Sequence, residues 1–275
     1  MNAIFSRLSC TSSVFILRNS TVSMKEKTMK TTIASLMFLA MLIPAAGTFA
    51  QAPTSKNGGA SPRLLTPQNS TLVLIDHQPQ MAFAAQSMDT QLLINNVTGL
   101  AKAAKIFKVP TILTTVASKT FSGPIFPNVQ AVYPEQVPID RTTMNSWEDR
   151  RVVEAVEKAG RKKVVIAALW TEVCLASAAL SALDAGYEVY IVTDASAGVT
   201  KEAHEMAIQR MVQAGAAPVS WLQIMLEWQR DWARQETYEA VIGVAKEHGG
   251  GYGLGINYAK TMLGEHAGEG AAKAK

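Results

Sequence analysis

Beyond an apolar leader, the hydrophobic positions of the chain fall into short continuous runs separated by stretches with helical spacing. Residues 71–75 (TLVLI) are an unbroken apolar run of strand length that ends at Asp76. Over residues 92–107 the apolar positions recur at 93, 97, 100, 104 and 107, which is one face of a helix. Residues 111–116 (TILTTV) read as a second strand, entered through Pro110. The stretch 117–146 contains Gly123, Pro124, Pro127, Pro134 and Pro138 and reads as irregular. A helix follows over 147–159 and stops at Gly160, then a strand over 164–169 (VVIAAL) and a helix over 173–185 closed by Gly186. A strand over 189–193, a helix over 201–214 closed by Gly215 and a short strand over 217–220 complete the alternation. Two more helices are predicted over 222–232 and 237–248.

Continuous apolar strands alternating with amphipathic helices require a sheet covered on both faces. The predicted fold is therefore α/β, a three-layer sandwich around a mostly parallel, Rossmann-like central sheet. In such sheets ligands bind beyond the carboxyl ends of the strands. Asp76, Trp170 with Cys174, and Asp194 all fall at such ends. The turn after the first strand reads Asp76-His77-Gln78-Pro79-Gln80, without glycine, which argues against dinucleotide binding. A phosphate-binding loop of the GxxxxGK[ST] type is also missing from the sequence.

Charge alters the picture at one end only. The chain has 275 residues and a formal net charge of +4. Of its 26 basic residues five lie within the first 50 positions, and of its 22 acidic residues one, so 21 of each remain and the rest is neutral. The basicity thus belongs to the leader and gives no reason to expect nucleic acid as a partner. Lys25, Lys27 and Lys30 precede the apolar run 33–43, Pro44 and a small-residue stretch ending at Ala50. That is the order of a signal peptide, with cleavage expected after Ala50 and residues 1–23 dispensable upstream of Met24 or Met29. The run is shorter than the ~20 residues of a membrane span. The expected organisation is a signal peptide over 1–50, a flexible lead-in over 51–67, one domain over 68–262 and a disordered tail over 263–275. The mature protein is expected to be exported, to the periplasm, without stable membrane association.

Cys10 leaves with the leader, so Cys174 stands alone and an intramolecular disulfide framework or multi-cysteine metal site is excluded. It sits just past a strand end, in the expected first turn of a helix. Unpaired N–H groups and the helix dipole there would stabilise a thiolate, and the same N–H groups could cradle an oxyanion. The alternative is a small buried apolar residue. A thiol pKa well below the ordinary ~8.5 would support catalysis, and one near it a non-catalytic ligand-binding or thiol-sensing protein. The four histidines, His77, His204, His248 and His266, are scattered and form no metal-ligand cluster. No metal or cofactor is expected.

The segment Leu169-Trp170-Thr171-Glu172-Val173-Cys174-Leu175, followed by Ala182-Leu183-Asp184-Ala185-Gly186 and Thr193-Asp194-Ala195, resembles the isochorismatase-like cysteine hydrolases, in their YcaC-type branch. Asp76-His77-Gln78, Pro110 to Thr115, Arg141 through Asn145-Ser146-Trp147 and Glu227 to Trp232 extend the resemblance in consistent order over about residues 65 to 260. The resemblance implies a triad of Asp76 as general base, Cys174 as nucleophile, and Arg141 at the position of the family's lysine. Arginine does not readily release a proton, so its implied role is charge stabilisation and positioning, with Lys119 as the substitute if a lysine is needed. The resemblance further implies a cis peptide at Leu169–Trp170 and an oxyanion hole from the backbone N–H groups of Trp170 and Cys174. Gln78, Asn145 and Trp170 are expected to line the substrate pocket, and His77 to point away from it. The function implied is hydrolysis of a small acyl compound, an amide or related C–N bond, through a thioester acyl-enzyme. The alternative is a non-catalytic ligand-binding or thiol-sensing protein. A homo-oligomer is implied as well, with the tryptophan-rich C-terminal region as a place for its contacts.

Overall fold

In the computed structural model, which describes residues 59–264, the first strand is buried on both faces along its whole length. The expected signal peptide, the start of the lead-in and the end of the tail lie outside the described residues. Six strands alternate with nine helices among the described residues: β1 Ser70–Ile75, α1 Pro79–Ala84, α2 Thr90–Ile106, β2 Thr111–Val116, α3 Pro127–Val132, β3 Ile139–Arg141, α4 Arg150–Ala159, β4 Lys163–Ala168, α5 Ala176–Asp184, β5 Glu188–Val192, α6 Lys201–Gln213, β6 Ala217–Val219, α7 Trp221–Gln229, α8 Gln235–His248 and α9 Gly251–Leu263. Short 3₁₀ turns form at Ser146–Glu148 and Thr193–Ala195, and a π turn at Thr171–Leu175.

The strands pair in the order β3-β2-β1-β4-β5-β6, and every neighbouring pair is parallel. The order reverses between β1 and β4, where Ile75 sits level with Ala168. This is the topological switch point at which such sheets open a crevice beyond their carboxyl ends.

Alternation along β1 divides the core. Leu72 and Leu74 face Leu93, Val97 and Leu100 of α2, Trp221 and Trp228 of α7 and Val241 of α8. Val73 and Ile75 face Val156 of α4, the alanines of α5 and Met211 of α6. Polar residues fix the helix starts: Asp89 accepts a hydrogen bond from the Leu92 N–H at 2.9 Å, and Asp149, Thr200 and Ser220 cap α4, α6 and α7.

The structure adds elements that periodicity does not reveal. Helix α3 and strand β3 form within the stretch expected to be irregular, and both are too short to show a period. Helix α9 runs through a glycine-rich segment of poor helix propensity. It needs a glycine at position 253, because a Cβ there would lie 2.2 Å from the Ala245 carbonyl oxygen of α8. The predicted helix over 222–232 instead stops at Gln229, and Arg230 turns left-handed with φ of 61°.

The lead-in is also shorter than expected. Leu65 is fully buried, its N–H donates to Glu227 Oε2 at 2.7 Å, and its carbonyl accepts from Arg230 Nη2 at 2.7 Å. Lys163 Nζ donates to the Leu64 carbonyl at 2.9 Å. Packing against the last helices therefore fixes the chain before position 68. Trp221 and Trp228 are core residues and present no surface for contacts between copies, whereas Trp232 is 38% exposed. On α9, Tyr252, Leu254, Tyr258 and Met262 are exposed as well.

The packing of α2 on α7 turns on one position. A Cβ on Gly99 would sit 2.8 Å from Trp221 Cζ3 and 3.1 Å from His248 Cβ. Alanine gains about 1 kcal/mol of helix propensity there, but overpacking a core costs about 1–3 kcal/mol. Because the tryptophan is walled in, Gly99→Ala is expected to destabilise the protein, by up to about 2 kcal/mol. Chemical denaturation checks this; an equal or higher midpoint would show that the indole can shift freely.

Candidate active site

Three strand ends supply the polar groups at the switch point. Asp76 leaves β1 in the left-handed region, φ 58°, a conformation that aspartate tolerates better than most residues. Its N–H stays in the sheet, donating to the Thr114 carbonyl at 3.1 Å. Arg141 is the last residue of β3, level with Val116 of β2. Its side chain reaches back across β2, and Nη2 lies 2.6 Å from Asp76 Oδ2 with both side chains fully buried. Its Nη1 donates to the carbonyls of Thr143 and Met144, which fold the loop after β3 onto the guanidinium.

Beyond β4 the Leu169–Trp170 peptide is cis, as expected. The chain then makes the π turn, in which the Trp170 carbonyl accepts from both Val173 and Leu175 N–H at 3.2 Å. Cys174 lies within this turn, 3% exposed, rather than in the first turn of a regular helix. Its sulfur is close to the Asp76 carboxyl and to the Trp170 backbone N–H.

Burial sets the acidities here. It raises Asp76 to about 6, against the opposing pull of Arg141, the Cys174 thiol and the Thr114 hydroxyl. Burial and the neighbouring Asp76 charge push the Cys174 thiol up to about 12, while Arg141 and the Trp170 N–H pull it down. The lowered thiol pKa anticipated from a helix start is thus overturned, because desolvation and a like charge outweigh the backbone dipoles. At neutral pH the pair rests as a carboxylate beside a thiol.

The structure brings Asp76, Arg141, Cys174 and the Trp170 backbone together, but it places other expected residues elsewhere. Gln78 is fully buried and fully engaged: Nε2 donates to Val116 O at 3.1 Å and Gly123 O at 2.6 Å, and Oε1 accepts from Val116 N–H at 2.9 Å. It braces two loops and is not a free pocket group. Asn145 caps the 3₁₀ turn by accepting from Trp147 N–H at 3.0 Å and donates to Ser181 Oγ at 3.0 Å, so it too is structural. Trp170 is partly exposed, with its Nε1 donating to Met81 O at 2.7 Å. His77 points away, as expected: its Nε2 meets the Ala195 carbonyl at 2.9 Å, and burial lowers it to about 4. Asp194 accepts from Trp221 N–H at 2.8 Å and serves α7. Lys119 is exposed, in the field of Asp140.

Two features escape a linear reading. Thr114, level with Ile75 and fully buried, aims its hydroxyl at the aspartate; only the Thr-Thr pair at the end of an apolar strand hints at it. The turn that carries Cys174 is bolted down by Thr171, whose N–H donates to Ala197 O at 3.0 Å and whose Oγ1 meets His204 Nδ1 at 2.7 Å. Glu172 Oε1 accepts from Val199 N–H at 2.8 Å. Among the described residues no three His, Cys, Asp or Glu side chains are grouped to hold a metal ion. A groove of about 550 Å³ between α2, α3 and α8, lined by residues such as Lys102, Asn128 and His248, shares no residue with this centre.

The comparisons with known proteins agree with this geometry. The isochorismatase domain model matches residues 70–223. A probable hydrolase, YcaC of Escherichia coli K12, is 36% identical over 169 residues, 61% of this chain and 81% of the relative. The crystal structure of E. coli YcaC, described as an octameric hydrolase of unknown specificity, superposes with a TM-score of 0.70 at 32% identity, covering 74% of this chain and all of the other. YcaC from Pseudomonas aeruginosa, solved with hexane-2,5-diol and covalent acrylamide, gives 0.69 at 31% identity, covering 73% and 98%. The match spans β1 to the start of α7, including every strand end that builds the site, and the chain belongs to the isochorismatase family of hydrolases, on its YcaC-like side.

Proposed function

We propose that the protein is a cysteine hydrolase that cleaves a small acyl compound, an amide or related C–N bond, with Cys174 as nucleophile. The observation that carries this is the buried contact of Arg141, Asp76 and Cys174 at the switch point of the sheet. Asp76 accepts the thiol proton as the sulfur attacks the acyl carbon, and the oxyanion rests on the N–H groups of Trp170 and Cys174. The proton passes to the departing amine, leaving a thioester. Water that loses a proton to Asp76 then releases the acid and restores the thiol. Arg141 holds the carboxylate in place and offsets its charge. The covalent acrylamide carried by the P. aeruginosa relative fits a site with a reactive nucleophile.

The competing reading, a thiol sensor, is served less well. Sensor cysteines are accessible and held as thiolates, whereas this one is buried and its thiol is raised. A base placed against a buried thiol suits transfer during attack.

Cys174→Ser is expected to lose turnover of an identified amide by about 10³-fold or more, and Asp76→Asn by about 10²–10⁴-fold. Full activity in the serine variant would end the proposal. The base works only when ionised, so the rate should rise with pH through about 6, and this limb should vanish in Asp76→Asn. A rate independent of pH between about 5 and 7 would show that Asp76 is not the base.

Removing the guanidinium strands a buried carboxylate. Arg141→Ala is expected to cost about 3–5 kcal/mol of stability and to move the pH limb upward, with Arg141→Lys in between. Denaturant unfolding and the pH–rate profile test both, and an unchanged limb would assign Arg141 a purely structural role.

The leader pattern from Lys25 to Ala50 supports export of this domain, and the octameric relative supports assembly with copies of itself. Cell fractionation with N-terminal sequencing should find the protein outside the cytoplasm and starting at Gln51. An intact leader on cytoplasmic protein would refute export.

A further inference from the structure

The charges of the site balance before any substrate enters. The Arg141 guanidinium faces the Asp76 carboxylate at 2.6 Å, both fully buried, and its other terminal nitrogen is turned onto the Thr143 and Met144 carbonyls. Asp149 lies within its field as well. Lys119, on the loop after β2, is exposed and answers Asp140. What the centre still offers is hydrogen bonding: Arg141 Nε and the Thr143 hydroxyl are buried without a partner, while the Thr114 hydroxyl is turned to Asp76. Such donors suit a neutral carbonyl.

The surroundings are apolar. Phe83, Phe121 and Met144 are 80%, 63% and 68% exposed, on the segments that follow β1, β2 and β3. Because all the strands are parallel, these segments leave the sheet at the edge that carries Asp76 and Cys174. Exposed apolar side chains thus lie at the same end of the sheet as a buried, electrically neutral centre.

We propose, resting on the nucleophile assignment above, that the site selects small uncharged acyl compounds with an apolar substituent and rejects their carboxylate-bearing analogues. A carboxylate entering it would shed its water and meet the Asp76 charge with no uncompensated cation to receive it. An amide of the same size loses far less on desolvation and uses the free donors.

Iodoacetamide and iodoacetate form a matched probe pair. Both alkylate a thiol with loss of iodide and of the thiol proton, and they differ in one charge. The purified protein is treated with each at pH near 7, within the range where Asp76 is ionised, and modification is followed at Cys174 by peptide mass spectrometry, which separates it from Cys10. Glutathione under the same conditions corrects for intrinsic reactivity. The expected preference for iodoacetamide exceeds that of glutathione by about 100-fold, as for burial of an uncompensated charge. In Asp76→Asn both rates fall, but the guanidinium is then uncompensated and the preference should narrow by about tenfold or more. A wild-type ratio equal to that of glutathione overturns the inference while leaving the nucleophile assignment standing. An unchanged preference in the variant assigns it to shape and overturns the charge argument. If neither reagent modifies Cys174, the nucleophile assignment falls and this inference with it. The wild-type ratio decides the matter if the variant does not fold.

Discussion

The ion pair between Arg141 and Asp76 is the constraint on which the rest of the site depends, because both side chains have left water entirely and neither has another opposite charge as close. A buried pair of this kind adds little net stability, since desolvation offsets most of the attraction. What it does is fix geometry. It ties the end of the edge strand β3 to the end of the central strand β1 across β2, and it draws the Thr143 and Met144 carbonyls over the guanidinium. A strand of three residues has little pairing of its own to hold it. The pair gives β3 a fixed place and the aspartate a fixed orientation.

From that geometry follows the protonation pattern. Burial raises the pKa values of both Asp76 and Cys174, and Arg141 lowers both, so the guanidinium limits how far the carboxyl and the thiol retain their protons. The carboxyl comes to rest near neutrality, where a general base is most useful. The thiol stays protonated beside it. A buried thiol that keeps its proton at rest is protected from casual oxidation, which follows thiolate character and exposure. The family's architecture and the chemistry proposed for this chain therefore meet in one electrostatic arrangement.

Much of the fold is legible in the order of residues. The runs that became β1, β2, β4 and β5 are continuously apolar because they are covered on both faces, and the helices α2, α4, α6 and α8 carry their spacing openly. Short elements were not legible. Strand β3 has three residues, and of the three glycines in α9 it is Gly253 that the approach to α8 explains. In the site, Asp76, Arg141 and Cys174 could be named through the resemblance and are found together. Gln78 and Asn145 could not be judged, since a polar residue near a strand end looks the same whether it faces a ligand or a neighbouring loop. Gln78 is bound to Val116 and Gly123, 38 and 45 residues away, and nothing in its local sequence marks that.

Local chemistry thus determined the strand and helix pattern, the parallel three-layer class and the place of Cys174 just past a strand end, because propensity and periodicity act over a few neighbouring residues. The tertiary structure decided the electrostatics. It set Arg141 against Asp76 across 65 residues of chain, moved Cys174 from a presumed helix start into a π turn, and reversed the direction of its thiol shift. Desolvation depends on everything packed around a group and charge on everything near it. Neither is written in adjacent residues, so both had to await the fold.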